Sequence, residues 1–178
     1  MPVGDGASIS MQVATLAVDP FTRLPVVILR DEAGEKRLPI CIGLSEASAI
    51  AAELDDIELE RPMTHQLMAN TLAAVGARVA RVEISDVEGN AFYAAVVLEL
   101  ASGEVVVEDA RPSDALALAL AVGAEIRVAR QLIDSAERGD VRDHCRATRR
   151  GDATLVSAGE SAESLDRLGD EAFGKWKM

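Results

Sequence analysis

Cysteine, long apolar runs and positive charge are all scarce in this sequence. Its two cysteines, Cys41 and Cys145, lie far apart in different contexts. This spacing argues against a disulfide framework and predicts two reduced thiols. No run approaches the roughly 18 apolar residues that a membrane-spanning helix needs, and the N-terminus lacks the basic, then apolar pattern of a signal peptide. We therefore expect a cytoplasmic protein without a membrane partner.

The shortage of positive charge is confined to the first part of the chain. Residues 1–137 hold 10 Lys and Arg against 22 Asp and Glu, whereas residues 138–178 hold 8 against 8. The whole net charge of −12 therefore belongs to the first part. Because a strongly acidic surface repels a phosphate backbone, ordinary electrostatic binding of nucleic acid is disfavoured.

What the sequence does contain indicates one folded domain with polar ends. Apolar residues make up 49% of the chain, which excludes wholesale disorder. We predict a leader over residues 1–8, a domain over 9–137 and a polar tail over 138–178, with a short helix around 165–173. Within the tail, Asp143-His144-Cys145 is a weak metal signal, because two adjacent ligands lack a second pair.

Hydrophobic periodicity and turn residues predict seven strands and four helices. The predicted strands cover residues 9–18, 24–29, 37–42, 79–85, 92–100, 104–108 and 125–128. Ser45 and Thr64 are predicted N-caps of the first two helices. In the second helix, Leu67, Met68, Leu72 and Val75 are predicted to face the core. The last helix is predicted over 129–136.

The third helix is the predicted centre of the fold. Pro112 suits its first position and Gly123 suits its end. Between them, residues 115–122 include no polar side chain, so other elements should surround this helix. Its N-terminus is instead polar, and free backbone N–H groups there favour anions.

A faint internal repeat relates the two halves of the predicted domain. Shifting the chain by about 68 positions aligns strand 24–29 with 92–97 and Ser45-Glu46 with Ser113-Asp114. The repeat predicts two strand-strand-strand-helix units related by a pseudo-twofold axis. Glu46 and Asp114 would then occupy equivalent positions and line one cleft.

Several stretches resemble the bifunctional nuclease domain, a family credited with acting on both DNA and RNA. In family order, they are Leu38-Pro-Ile-Cys-Ile-Gly43, Glu46-Ala-Ser-Ala-Ile-Ala51, Arg61-Pro-Met-Thr-His65, Gly76-Ala-Arg-Val79 and Asp109-Ala-Arg-Pro-Ser-Asp-Ala-Leu-Ala-Leu118. The resemblance covers roughly residues 10–136. The sequence departs from the family pattern at Cys41 and at Leu44-Ser45, which leaves the substrate open.

The resemblance implies an α+β fold, with a twisted, mixed, mostly antiparallel sheet and packed helices, and a homo-oligomer. It also implies hydrolysis of DNA and RNA phosphodiester bonds with divalent-metal assistance. Glu46, Asp109 and Asp114 are the candidate ligands for Mg²⁺ or Mn²⁺.

The same resemblance, together with the polar clustering, supplies candidate catalytic and substrate-binding residues. His65, Arg111 and Asp114 are the catalytic candidates, with His65 moving protons and Arg111 clamping a phosphate. Arg111 and Ser113 are the candidates for substrate binding.

Each candidate also has a structural explanation. Asp114 and Glu46 would complement the dipoles of their helices. Arg111 and Asp109 would form an ion pair that fixes the turn between strand and helix, and His65 would bond a backbone carbonyl. A second class of function therefore stays open: a non-catalytic, regulatory or anion-binding homo-oligomeric module.

Overall fold

We describe the fold from a computed structural model, in which residues 8–19, 22–57, 59–88 and 91–138 are described. Seven strands and four helices occur in these ranges. The strands are β1 (Ser8–Val18), β2 (Pro25–Asp31), β3 (Arg37–Cys41), β4 (Ala77–Glu88), β5 (Ala91–Leu100), β6 (Val105–Ala110) and β7 (Glu125–Ala129). The helices are α1 (Leu44–Leu54), α2 (Thr64–Ala74), α3 (Pro112–Val122) and α4 (Arg130–Arg138).

The strands form one open, mixed sheet in the order β3-β2-β1-β7-β4-β5-β6. All neighbouring pairs are antiparallel except β4 and β7, which are parallel. Together with the packed helices, this confirms the predicted α+β class. Pro39 lies in β3 at one edge of the sheet, where the missing backbone N–H of proline breaks no interior ladder.

The two predicted strand-strand-strand-helix units are visible in the sheet order. From β7 toward one edge of the sheet, the strands follow in the order β1, β2, β3. Toward the other edge they follow in the order β4, β5, β6. Since β7 is antiparallel to β1 and parallel to β4, the first strands of the two units run in opposite directions. A pseudo-twofold axis requires this relation, and α1 and α3 follow the third strands of their units.

α3 lies inside the hydrophobic core, as predicted. Its residues from Ala115 to Ala119 are at most 1% exposed. Pro112 is its first residue, and Gly123 ends it in the left-handed conformation with φ 67°, which glycine adopts without a Cβ clash. Both α1 and α2 pack against α3.

The predicted caps of the first two helices are wrong by one or two residues. Gly43 is the N-cap of α1 and Met63 that of α2, so Ser45 and Thr64 lie inside their helices. Neither cap makes a side-chain hydrogen bond. The backbone course set by the preceding segments, rather than the position of a hydroxyl, therefore decides where each helix begins.

The predicted inward face of α2 is also wrong in part. Leu67, Met68 and Val75 are exposed, whereas Ala69 is buried and Leu72 is partly buried against the core. The pattern alone identified an apolar stripe, but the position of α3 decides which side of α2 is covered.

The expectation of two reduced thiols is not met. Cys41 is disulfide-bonded, and none of the cysteines in the described ranges is free. Cys145, the other cysteine of the sequence, lies outside the described residues. Sequence spacing cannot decide such a bond, because a disulfide depends on how closely two Cβ atoms approach in the folded chain.

Two further expectations concern segments at the ends of the chain. The described residues do not include 1–7 of the predicted leader or 139–178 of the predicted tail. The Asp143-His144-Cys145 stretch is part of that tail.

Among the described helices, none is both long and apolar enough to cross a bilayer.

Candidate active site

Arg111 is the centre of a cluster of charged side chains at the N-terminus of α3. It is the N-cap of α3, directly after β6. Its guanidinium makes a two-pronged contact with Asp114, with Nε 2.6 Å from Oδ2 and Nη2 3.0 Å from Oδ1. The same Nη2 lies 3.0 Å from Oε1 of Glu46. One guanidinium therefore joins the two carboxylates that the internal repeat placed in equivalent positions.

Glu46 and Asp114 meet because their helices begin side by side. Each is the third residue of its helix, α1 or α3, and these two helices pack together. Acidic groups in the first turn are favoured by the free N–H groups and the dipole of the helix. The predicted convergence of the two carboxylates is confirmed, although they meet across an arginine.

Residues around the start of α1 hold the Glu46 carboxylate in place. Ser45 Oγ donates a hydrogen bond to Glu46 Oε2 over 2.8 Å. Gly43 leaves room for this carboxylate, since a Cβ added to Gly43 would lie 2.2 Å from Glu46 Oε2. The φ of Gly43 is −75°, which any residue can adopt, so a side chain at this position would act through space alone, by forcing the flexible end of Glu46 to move.

His65 enters the cluster from α2. Its Nε2 lies 3.2 Å from Asp114 Oδ1, and because a carboxylate only accepts, this nitrogen donates. A neutral His65 in this tautomer keeps the lone pair of Nδ1 for another proton. The alternative was a hydrogen bond from His65 to a backbone carbonyl. The described contact of His65 is instead with the Asp114 carboxylate.

The contacts shift the ionisation of the cluster toward the fully charged state. Hydrogen bonding from Arg111 lowers the pKa of Asp114 despite the opposing effect of burial, and the contact with His65 adds to the lowering. Burial acts to raise the pKa of Glu46, but hydrogen bonds from Ser45, from its own backbone N–H and from Arg111 outweigh it, so this pKa is also lowered. Asp114 in turn raises the pKa of Arg111.

The cluster is accessible to solvent on its arginine side. The side chain of Arg111 is 66% exposed and that of Asp114 is 36% exposed, whereas Glu46 and His65 are 14% and 16% exposed. A solute therefore meets the guanidinium first, with the carboxylates and the imidazole behind it. This arrangement suits a phosphate group, which guanidinium binds through paired hydrogen bonds.

Asp109 lies apart from this cluster. It is exposed in β6, and the next residue, Ala110, packs against the core. Because successive side chains of a strand point to opposite faces, Asp109 lies on the face of the sheet away from the core. The alternative ion pair between Asp109 and Arg111 is wrong, since Arg111 pairs with Asp114 and Glu46.

The proposed metal ligands do not form a ready metal site. Over the described ranges, no group of three or more His, Cys, Asp and Glu side chains is placed to hold a metal ion. The oxygens of Glu46 and Asp114 that face each other contact Arg111 instead. The role of Glu46, Asp109 and Asp114 as ligands of Mg²⁺ or Mn²⁺ stays a prediction.

Ser113 is buried, with 7% of its surface exposed, next to the accessible Arg111 and Asp114. Its role in substrate binding likewise stays a prediction.

Sequence reasoning missed two supporting residues, Ser45 as the hydrogen-bond partner of Glu46 and Gly43 as the residue that leaves space for it. Gly43 lies three residues before Glu46 at the end of a predicted strand, and this proximity is the one signal that could have indicated its role.

The fold and the site together define an α+β domain that carries an arginine, two carboxylates and a histidine where three helices begin. The family model for the bifunctional nuclease domain matches residues 27–139. The chain belongs to this family. It is also similar to two uncharacterized proteins of Mycobacterium tuberculosis, from strains CDC 1551 and H37Rv. Each is 39% identical to it over 118 residues, which cover 66% of this chain and 70% of each relative.

Proposed function

We propose that this protein is a nuclease that hydrolyses phosphodiester bonds of DNA and RNA at the Arg111 cluster. The observation that carries the proposal is the connected series His65, Asp114, Arg111 and Glu46, which joins a proton-transfer group to an exposed phosphate-binding group. Family membership supports the same class of reaction.

In this proposal Arg111 binds the phosphate and His65 moves protons. A guanidinium that is 66% exposed can turn part of its N–H fork toward a phosphate oxygen and offset the charge that develops there. Asp114 holds the imidazole through Nε2, so that Nδ1 can take a proton from the water whose oxygen bonds to phosphorus. The bond from phosphorus to the leaving oxygen then breaks, and that oxygen takes a proton from solvent. The 3.2 Å contact orients the ring, as a carboxylate does in other histidine-dependent hydrolases.

Mg²⁺ or Mn²⁺ remains part of the proposal as a charge-neutralising and water-activating group. The present arrangement does not fit such an ion, because Arg111 is paired with both carboxylates and occupies oxygens that the ion would need. Any ion that joins the site must compete with Arg111 for Glu46 and Asp114. We therefore assign the steps above to the side chains of this chain alone.

The acidic surface sets a second condition on the substrate. With a net charge of −12, the chain repels a long polyanion, and the described cluster offers one exposed cation. Weak binding is expected, since the single exposed arginine of the described cluster neutralises few phosphates. Low sequence specificity is expected because a phosphate contact does not distinguish one base from another. We also propose that copies of this chain form a homo-oligomer, as the family resemblance implies.

The test is an activity assay of the purified chain on single-stranded and duplex DNA and RNA, with EDTA or with added Mg²⁺ or Mn²⁺. His65→Ala is expected to lower the cleavage rate by about 10²- to 10⁴-fold, the usual contribution of a general acid or base. Asn70→Ala, an exposed change on the same helix, is the matched control and should keep full activity. Equal rates for the two variants would reject His65 as the proton-transfer group.

A non-catalytic, anion-binding module is the second candidate function. It is favoured by the full pairing of Glu46 and Asp114 with Arg111, since paired carboxylates lack free oxygens for a metal. If no metal condition produces cleavage and Asp114→Asn changes only the melting temperature, the nuclease proposal fails and this module remains.

A further inference from the structure

Cys41 carries a covalent bond that the Arg111 cluster does not use. It is the last residue of the edge strand β3, and its sulfur is disulfide-bonded. The sequence holds one other cysteine, Cys145, which is therefore the one partner that the same chain can offer. Cys145 follows the last residue of α4 by seven positions and lies outside the described residues.

The described fold brings the chain to within reach of this bond. α4 packs against β3, and its Leu132 and Ile133 are buried in the hydrophobic core. Seven residues beyond the end of α4 span up to about 25 Å when extended. A disulfide needs its two Cα atoms within about 7 Å of each other. The end of α4 is therefore a suitable starting point for Cys145 to reach Cys41 without a change in the described elements.

The fold around Cys41 does not depend on the disulfide. In β3, Leu38 and Ile40 are 0% and 2% exposed, and the strand pairs with β2 along its whole length. After it, the buried Ile42 donates its backbone N–H to the carbonyl of Pro25 over 3.0 Å. A domain with such a core folds without the disulfides that very small secreted domains need. Reduction should therefore leave the domain folded, as a reversible switch requires.

We propose that Cys41 and Cys145 form a thiol-disulfide switch, which ties the chain after α4 to the end of β3 when oxidised and releases it when reduced. Cys41 is partly exposed, so a small thiol can approach the bond. The thiolate of that small thiol attacks one sulfur, the bond between the two cysteines breaks, and the other cysteine leaves as a thiolate that takes a proton from solvent.

A second small thiol completes the reduction. It displaces the first from the mixed disulfide, so that the protein gains two thiols and the two small thiols are oxidised to their own disulfide. Closing is the reverse reaction, with a small-molecule disulfide as the oxidant. The co-reactants are thus of the glutathione class, and no metal or other cofactor is needed.

The switch lies beside the Arg111 cluster in the sequence. Cys41 precedes by two residues Gly43, the N-cap of α1 that leaves room for the Glu46 carboxylate. Reduction removes a tether from the chain that continues from α4, so hydrogen exchange in the last turn of α4 should become faster. The amides of β5, in the other half of the sheet, should keep their exchange rates. A switch of this kind operates whether or not the cluster cleaves nucleic acid.

The first experiment identifies the partner of Cys41 in the purified full chain. Trypsin cleaves after Arg37 and Arg142, so digestion without reductant should give the peptide that begins at Leu38 joined to the peptide Asp143-His-Cys-Arg146. Mass spectrometry reports the joined pair, which reduced glutathione in excess should separate and oxidised glutathione should restore. Two separate peptides, or two copies of the Cys41 peptide joined to each other, would overturn the proposal.

The second experiment measures the melting temperature with oxidised or reduced glutathione. Cys145→Ser should lower the melting temperature of the oxidised chain by at least about 5 °C, because a loop of about 100 residues is no longer closed in the unfolded state. Reduced glutathione should lower that of the wild type equally and leave Cys145→Ser unchanged. Ala147→Ser is the matched control, two residues further along, and should behave as the wild type.

Three results of the second experiment would overturn the switch. Equal melting temperatures for Cys145→Ser and the oxidised wild type would show that no bond to Cys145 stabilises the chain. Loss of the circular dichroism of the folded chain on reduction, or a bond that reduced glutathione in excess does not open, would make the disulfide a permanent structural bond. Unchanged hydrogen exchange in α4 on reduction would contradict the release of the tether.

Discussion

Replacing Arg111 by methionine removes the one cation that joins two carboxylates. Glu46 Oε1 and Asp114 Oδ1 each lie 3.0 Å from Nη2, so they are at most twice 3.0 Å, or 6.0 Å, apart. At about 6 Å, two unit charges repel by roughly 0.7 kcal/mol in water and by about 2.8 kcal/mol at an effective dielectric constant of about 20. The missing guanidinium would leave this repulsion uncompensated.

The exposure of Arg111 moves the expected effect toward the lower figure. Because the side chain is 66% exposed, solvent screens its ion pairs, and each contributes less than a buried pair would. We expect Arg111→Met to lower the free energy of unfolding by about 1 to 1.5 kcal/mol at pH 7. Arg78→Met is the matched control, since Arg78 is also 66% exposed but contacts a single carboxylate, Glu99.

The pH dependence distinguishes this electrostatic effect from a loss of packing. The pKa values of Glu46 and Asp114 are lowered from the ordinary 4.5 and 3.8, so their stabilisation is complete above these values and is lost as the pH falls through the lowered ones. Without Arg111 the part of this contribution that comes from the guanidinium is absent, whereas the hydrogen bonds of Ser45 and the backbone to Glu46 and the contact of His65 with Asp114 remain. The difference between wild type and variant should therefore be largest above about pH 5, begin to shrink as the pH falls below the ordinary values of 4.5 and 3.8, and disappear only below the lowered values of the folded state.

The assay is urea unfolding followed by circular dichroism at a series of pH values from about 7 down to about 2, which passes below the ordinary carboxyl pKa values, with the variant and its control in parallel. The Arg78→Met control should lose less than about 0.5 kcal/mol at pH 7. A loss for Arg111→Met that is independent of pH would refute the reasoning, because removal of packing alone does not titrate. A loss no larger than that of the control would refute it as well.

Three further predictions concern the same cluster. Gly43→Ala should displace the Glu46 carboxylate, since the added Cβ would lie 2.2 Å from Oε2. We expect a lower cleavage rate with a change in melting temperature under about 3 °C. An unchanged cleavage rate would contradict this prediction. Asp114→Asn should remove the carboxylate whose pKa Arg111 lowers and weaken its contact with His65, which a change in the NMR chemical shifts of the imidazole at constant pH would report; unchanged shifts would contradict this. Binding of a short single-stranded oligonucleotide should depend weakly on salt concentration, because one exposed arginine replaces about one counterion. The logarithm of the binding constant plotted against the logarithm of the salt concentration should have a slope no steeper than about −1. A slope near about −4 would contradict this and indicate a basic surface outside the cluster.

The order of strands and helices could be predicted from local patterns. Alternation, proline and glycine identified all seven strands and four helices within a few residues, including α3 with Pro112 at its start and Gly123 at its end. The repeat also placed Glu46 and Asp114 in equivalent positions. The elements depend on neighbours along the chain, and the repeat follows from aligning two stretches of the same sequence, so the sequence contains both directly.

The details of the site could not be predicted in this way. Asp109 and Asp114 are five positions apart in one motif, yet a strand face carries Asp109 away from the core while a helix start brings Asp114 to Arg111. The contact between His65 and Asp114 spans 49 positions, and no local pattern encodes such a distance.

By itself, the sequence determined the elements, the buried character of α3 and the family to which the chain belongs. The tertiary structure alone decided that Arg111 stands between Glu46 and Asp114, and that α2 buries Ala69 rather than Leu67. The physical reason is the same in both cases. Periodicity fixes which side chains share a face, but the packing of one element on another fixes what that face meets.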